Sequence, residues 1–304
     1  MKNKYLISIV GPTAIGKTAL SIKLANYFNT EIISADSRQF YKEMQIGTAA
    51  PTPSELAAAP HHFIKHLSVE NYYNVGAFEN DAIALLKTLH EEHQVVIMVG
   101  GSGLYVNAVT KGLDDLPKVD IAIREQLNTR LQTDGLEVLQ FQLKQLDPKA
   151  YQSIAIDNPQ RVIRALEVCL SSGKPYSSFL KGKDKVRAFK TITIGLTADR
   201  AIIYDRINRR VDLMIDEGLI DEVKSLQSKQ ELNALNTVGY KELFKYLNGE
   251  WDLNFAISEI KKNTRRFAKR QLTWFKKNED TLWFDYSTPT EDIIEALMRG
   301  IKLV

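Results

Sequence analysis

Residues 11–18 read Gly11-Pro12-Thr13-Ala14-Ile15-Gly16-Lys17-Thr18, two glycines spaced by four residues and then Lys-Thr. Their surroundings restrict the fold more than any other stretch does. Before them, Tyr5-Leu6-Ile7-Ser8-Ile9-Val10 is a short apolar run of buried-strand type. After them, Ala19, Leu20, Ile22, Leu24 and Ala25 recur at helical spacing between Lys17 and Phe28. A strand, a glycine-bearing loop and a helix in that order turn successive backbone N–H groups toward the positive end of the helix, where a diphosphate binds. Gly11, Pro12, Thr13, Ala14, Ile15 and Gly16 form the expected cradle, Lys17 supplies a point charge and Thr18 a hydroxyl for Mg²⁺. Which diphosphate is held, and what is done to it, the pattern leaves open.

The rest of the chain alternates in the same way. Strand-like runs recur at 31–35, 94–99, 191–196 and 282–284. Helical patterns cover 76–93, the residues after Gly103, 200–217, 256–277 and 290–301. Strands alternating with helices imply an α/β protein with a P-loop NTPase-like parallel sheet flanked by helices. From 118 to 185 the character changes: the sequence is polar, helical in pattern and punctuated by Gly135, Asp147-Pro148, Asn158-Pro159 and Gly173-Lys174-Pro175. This stretch is expected to be an α-helical insertion domain, leaving 1–117 and 186–304 as the core domain. The longest apolar runs fall short of the roughly 18 residues that a membrane span needs, so no membrane association is expected. A single cysteine, Cys169, in 304 residues points to the cytoplasm. No heptad seam is visible, and a monomer is expected.

Three groups of residues carry chemistry. Asp36 stands at a strand end, where ligands of open parallel sheets sit; its carboxylate suits Mg²⁺, a general base, or a cap on its own turn. Arg206 and Arg210 are four residues apart on one helical face and suit a diphosphate clamp, or else a solvated face paired with Asp205 and Asp212. The third group is electrostatic. Residues 256–278 hold eight Lys or Arg and one acid, Glu259, a local charge of +7 in a chain of net +3. Ile257, Ile260, Thr264, Phe267, Ala268, Gln271, Trp274 and Phe275 fall on one side of this helix and the basic residues on the other. With acids nearly absent, the basic side suits a polyanion, and an RNA or DNA backbone is the natural candidate. The histidines lack the spacing of a metal site.

Together these motifs resemble the tRNA isopentenyltransferase family over residues 6–285. The resemblance rests on the 11–18 loop, Asp36-Ser37-Arg38-Gln39-x-Tyr41, Ile46-Gly47-Thr48-Ala49, and Val99-Gly100-Gly101-Ser102-Gly103-Leu104-Tyr105. It continues through Asn158-Pro159-Gln160-Arg161-Val162-Ile163-Arg164-Ala165-Leu166-Glu167, Gly239-Tyr240-Lys241-Glu242, and 264–275 from Thr264-Arg265-Arg266 to Trp274-Phe275. Ser102 stands where the family usually has Thr, and Ala50 where a Lys often follows.

The resemblance implies transfer of a dimethylallyl group from dimethylallyl diphosphate to N6 of adenosine 37, beside the tRNA anticodon. The loop then holds a leaving group. Lys17, Arg210 and Mg²⁺ on Thr18 would stabilise its charge, with Arg206 a second clamp. Thr13 would reach the diphosphate, and Asp36 would accept from the attacking amine. Asp36, Ser37, Arg38, Gln39, Ser102, Arg124, Gln160, Arg161, Val162, Ile163 and Arg164 resemble the family's tRNA contacts. The insertion, with Arg265, Arg266, Lys269 and Arg270, would grip the anticodon stem-loop. The competing readings are an ATP-binding P-loop kinase or NTPase, an isopentenyltransferase acting on free AMP or ADP, and a non-catalytic RNA-binding protein.

Overall fold

The computed structural model describes residues 3–180, 182 and 184–301. The chain divides into two compact units, Met1–Lys111 with Val186–Val304, and Gly112–Lys185.

The first unit opens with β1 (Tyr5–Val10), the phosphate-loop residues and α1 (Lys17–Phe28), then β2 (Ile32–Ser34), α2 (Pro53–Ala58), β3 (His61–His62), α3 (Val75–Glu92), β4 (Val95–Val99) and α4 (Gly103–Thr110). The second unit contributes α5 (Ile121–Thr133), α6 (Leu136–Leu146), α7 (Pro148–Ser153) and α8 (Pro159–Ser172). The chain then returns to the first unit with β5 (Lys190–Thr197), α9 (Arg200–Asp216), α10 (Leu219–Ser225), α11 (Tyr240–Leu247), α12 (Leu253–Phe275), β6 (Leu282–Asp285) and α13 (Thr290–Gly300).

Among the described residues the strands form one parallel sheet in the order β3-β2-β4-β1-β5-β6, with Ile7 opposite Ile97 on one side and Ile192 on the other. The central strand β1 is buried along its whole length, as a strand covered on both faces must be. Its side chains alternate between two cores. Leu6 and Val10 join Phe78, Leu86, Leu243 and Ile260 on one face, while Tyr5, Ile7 and Ile9 join Leu24, Ile203, Ile207 and Leu297 on the other.

This strand order positions the site. β2, β4 and β1 are neighbours, so Asp36, the Gly100–Gly103 turn and the phosphate loop emerge side by side from the same sheet edge. Ala35 N–H donates to Val99 O at 2.7 Å and Gly100 N–H to Ile9 O at 3.2 Å, extending the ladder into the loops. Gly11 is required where it stands: its φ is +142°, and a Cβ there would lie 2.5 Å from Leu196 O. His61-His62 form a two-residue strand paired with β2. Two residues are too few to display a period.

The second unit has its own core of Leu127, Leu139, Leu143, Val162, Ile163 and Leu166. Asn158 caps α8, accepting from the N–H groups of Gln160 and Arg161, with Pro159 at the first helical position. Two of the residues expected to contact RNA have side chains that point into this core. Val162 and Ile163 are buried in this core, because the face of α8 that closes the unit is the one that carries them. Gln160 and Arg161 are exposed at the start of α8. Arg124 and Arg164 both converge on the buried carboxylate of Glu167, Arg124 at 2.6 Å. A buried acid held by two guanidiniums braces α5 against α8.

Candidate active site

A cavity of about 450 Å³ opens at the sheet edge, lined by residues 13–18, Asp36, Arg206 and Arg210. Ala14 (φ +63°) and Gly16 (φ +109°) take left-handed backbone conformations, which fold the loop into a concave nest of N–H groups. Lys17 Nζ donates to Pro12 O at 2.7 Å. Burial pulls its pKa from the ordinary 10.5 down to about 8; Asp36 opposes the shift and Arg210 adds to it.

Arg206 and Arg210 turn inward from α9. Arg206 Nε donates to Ala14 O at 2.7 Å, and Arg210 donates to the Thr13 hydroxyl at 3.4 Å. Burial lowers the Arg210 pKa, with Asp36 and Glu55 acting against it; a guanidinium nonetheless keeps its charge. The alternative of a solvated face paired with Asp205 and Asp212 does not hold. Asp205 pairs with the outward Arg209 at 2.8 Å, and Asp212 with Lys261 at 2.6 Å.

A second cavity, of about 550 Å³, lies on the other side of the same residues and shares Thr13, Asp36, Thr48, Ala49 and Arg210 with the first. Leu104, Met214, Phe267, Gln271 and Trp274 also line it. Asp36 thus stands where two cavities meet. Its Oδ1 accepts from Arg38 N–H at 3.1 Å, so the turn-capping role is real, but it occupies only one carboxylate oxygen.

The neighbours of Asp36 are mostly committed to holding loops. Arg38 donates to the carbonyls of Asn233, Ala234 and Asn236 at 2.9, 3.0 and 3.4 Å. Gln39 donates to Thr48 O and Ala49 O at 3.3 and 3.1 Å. Ser37 N–H donates to Ser102 Oγ at 3.0 Å. These side chains shape the cavity walls.

On α12 the basic side is narrower than its composition suggests. Lys261 pairs with Asp212, Lys262 with Glu259 at 2.6 Å, and Arg265 donates to Asn208 at 2.7 Å. Arg266, Lys269 and Arg270 are exposed. Phe267, expected on the apolar side, is 38% exposed in the second cavity with the Arg270 guanidinium over its ring.

Glu222 is a site-shaping residue that sequence reasoning missed. Its carboxylate accepts from the N–H groups of Gln45, Ile46 and Gly47 at 2.9, 2.7 and 2.9 Å and from Tyr240 Oη at 2.6 Å. The loop so held carries Thr48 and Ala49, which line both cavities. Glu222→Ala is expected to cost about 2–4 kcal/mol of stability, because the loop amides lose their acceptor together; thermal and denaturant unfolding measure it. Nothing in the local sequence marks Glu222, since its partners lie far along the chain.

A family profile described as "IPP transferase" matches residues 39–278. The chain is 61% identical over 300 residues to a tRNA dimethylallyltransferase of Christiangramia forsetii, covering 99% of each.

The chain belongs to the IPP transferase family.

A second relative, tRNA dimethylallyltransferase 1 of Bacteroides fragilis, is 50% identical, and the match covers 99% of this chain and 100% of the relative. Among solved structures, the tRNA isopentenylpyrophosphate transferase of Bacillus halodurans is 40% identical with a TM-score of 0.71, covering 98% of this chain and 95% of that one. A eukaryotic dimethylallyltransferase acting on tRNA is 25% identical with a TM-score of 0.82, covering 99% and 81%. The two cavities of this IPP transferase family member are therefore formed within the architecture its relatives share.

Proposed function

We propose that the protein transfers a dimethylallyl group from dimethylallyl diphosphate to N6 of adenosine 37 in tRNA, releasing diphosphate. The observation that carries this reading is the meeting of two cavities at Thr13, Asp36 and Arg210. A phosphate loop alone suits many reactions. A phosphate loop opening onto a second, largely apolar cavity with a carboxylate at the junction suits displacement between two separately bound substrates.

In this reading the diphosphate lies in the first cavity and the adenine enters the second from outside. Such entry requires a base unstacked from its loop, which is inexpensive in single-stranded RNA. The free oxygen of Asp36 accepts the proton of the attacking N6 amine as the C–N bond forms and the C–O bond to diphosphate breaks. Lys17 and Arg210 face the charge that develops on the leaving group, and the Thr13 hydroxyl, held by Arg210, is aimed at it. The donor set suits Mg²⁺ carried in on the diphosphate: Thr18 lines the cavity with a hard oxygen ligand, and no cluster of metal-binding side chains exists among the described residues. The ion would neutralise the leaving group. The tRNA backbone would lie on Arg266, Lys269 and Arg270, with Gln160 and Arg161 of the second unit as further contacts.

The deciding experiment incubates the protein with labelled dimethylallyl diphosphate and total tRNA, followed by nucleoside analysis. N6-dimethylallyladenosine in tRNA supports the reading. ATP hydrolysis or phosphoryl transfer without prenylated tRNA would sink it, and labelling of AMP but not tRNA would favour the free-nucleotide enzyme. Replacing Arg266, Lys269 and Arg270 together by glutamine is expected to weaken tRNA binding at least tenfold. The slope of log affinity against log salt should become shallower by about two to three, roughly one for each RNA phosphate that the protein no longer neutralises. We infer a cytoplasmic monomer, which size-exclusion chromatography tests for mass. No helix among the described residues is long and apolar enough to cross a membrane.

A further inference from the structure

Gln271 is a polar side chain, 5% exposed, on the inward side of α12. Its Oε1 accepts from Thr13 N–H at 2.9 Å and its Nε2 donates to Gly101 O at 2.9 Å. The two partners fix the amide's orientation, because an N–H needs the oxygen and a carbonyl needs the nitrogen. Of the ordinary side chains of this length, only glutamine offers a donor and an acceptor so placed.

Where this amide stands matters more than the strength of its two bonds. Thr13 is held from two sides, its amide by Gln271 and its hydroxyl by Arg210. The Thr13 N–H is thereby spent on α12 and does not join the nest of N–H groups around the phosphate cavity. Gly101 is the second anchor. A Cβ on Gly101 would lie 2.3 Å from Gln271 Nε2 and 3.9 Å from Asp36 Oδ2, so the amide and the carboxylate face each other across a glycine that leaves no room for a side chain. One buried amide therefore touches the loop expected to hold the leaving group and the turn beside the expected base. It also lines the cavity expected to take the adenine. Its helical neighbours Phe267, Arg270 and Trp274 line that same cavity.

We propose that Gln271 is a positioning residue that sets the Thr13 hydroxyl and Asp36 at their working separation and ties both to the helix that faces the RNA. The inference rests on the prenyl-transfer reading above. It differs from a packing role in its consequence. Loss of the amide displaces the leaving-group contact relative to the base, whereas the basic surface of α12 and its grip on RNA stay as they were. Displacements of about 1 Å at a reacting centre cost about a hundredfold in rate.

The test uses the full chain, with Gln271→Met, which keeps length and removes both hydrogen bonds, and Gln271→Glu, which keeps the acceptor for Thr13 N–H but turns a carboxylate toward Gly101 O. Each is made alone and with Thr13→Ala, which keeps the Thr13 amide and removes its hydroxyl. For Gln271→Met the single-turnover rate at saturating substrates is expected to fall about 30- to 100-fold, with the KM for tRNA within threefold of wild type. In the Thr13→Ala background the same change should cost about threefold, because the hydroxyl it positions is already gone. Gln271→Glu should fall between wild type and Gln271→Met. Equal losses in both backgrounds, or a rise in KM for tRNA with the rate unchanged, would overturn the proposal. So would wild-type rates in a folded Gln271→Met or Gln271→Glu protein. Should the wild-type protein itself fail to prenylate tRNA, the functional reading falls first, and that outcome is separate from any behaviour of the variants.

Discussion

Replacing Asp36 by asparagine is expected to lower the single-turnover rate of prenyl transfer by about 10³-fold, with tRNA affinity within a factor of about three. Asparagine is the informative choice because the two carboxylate oxygens have separate work. Oδ1 accepts from Arg38 N–H and shapes the turn, a role that the asparagine carbonyl keeps. The other oxygen stands at the junction of the two cavities, where an amide NH₂ accepts no proton. The adenine amino group is a poor nucleophile until its proton is drawn away, so a loss of about 10³ in rate, near 4 kcal/mol, belongs to this one interaction. Asp36→Ala should lose the same rate and some stability besides, because Arg38 N–H is left unmet. Rapid-quench single-turnover measurements with labelled dimethylallyl diphosphate, with filter binding for tRNA, separate the two. Transfer at more than a tenth of the wild-type rate in the asparagine variant would remove Asp36 from the role of base.

Lys17→Ala carries the second large effect. Its ammonium sits under the loop against Pro12 O, and loss of it is expected to raise the Kd for dimethylallyl diphosphate about a hundredfold, since a charge-assisted interaction in a desolvated site disappears. The pH dependence gives a sharper check. Burial lowers the Lys17 pKa to about 8, so the free protein carries the charge below pH 8 and loses it above. A bound diphosphate favours the charged form and draws the pKa up, so binding takes up a proton at higher pH. Affinity is therefore expected to be flat from about pH 7 to 7.5 and to fall as pH rises through 8, by up to tenfold per unit. In Lys17→Ala this fall should vanish, because no proton is taken up at that position. Calorimetric titration in buffers of different ionisation enthalpy measures the proton directly. An unchanged Kd in Lys17→Ala would show that the loop is not the diphosphate site.

Some residues of the site announce themselves along the chain and others do not. The phosphate loop is contiguous, and its chemistry depends on local backbone geometry, so spacing and flanking periodicity suffice to find it. Arg206 and Arg210 were legible as a pair, with a diphosphate clamp and a solvated face both open. Four-residue spacing puts them on one face, and only the packing of α9 shows that this face turns toward Ala14 and Thr13 while Arg209 turns out. On α12 the reverse happened: counting charge overstated the free basic surface, because Lys261 and Arg265 are satisfied by Asp212 and Asn208 of α9, a neighbour that no local reading reveals. Gln271 carried a faint signal, a polar residue on an otherwise apolar helical side, and such a residue needs partners when buried. Glu222 carried none.

The sequence by itself therefore determined the parallel α/β framework, the phosphate loop and the carboxylate at the second strand end, because each depends on periodicity or on residues close together in the chain. The tertiary structure alone decided that the loop, Asp36 and Arg210 stand where two cavities meet, and that one glutamine on a distant helix holds the loop and the glycine turn together. Those relations join segments up to 258 residues apart, and strand order and helix packing bring them together. No local pattern of hydrophobicity or charge records that meeting.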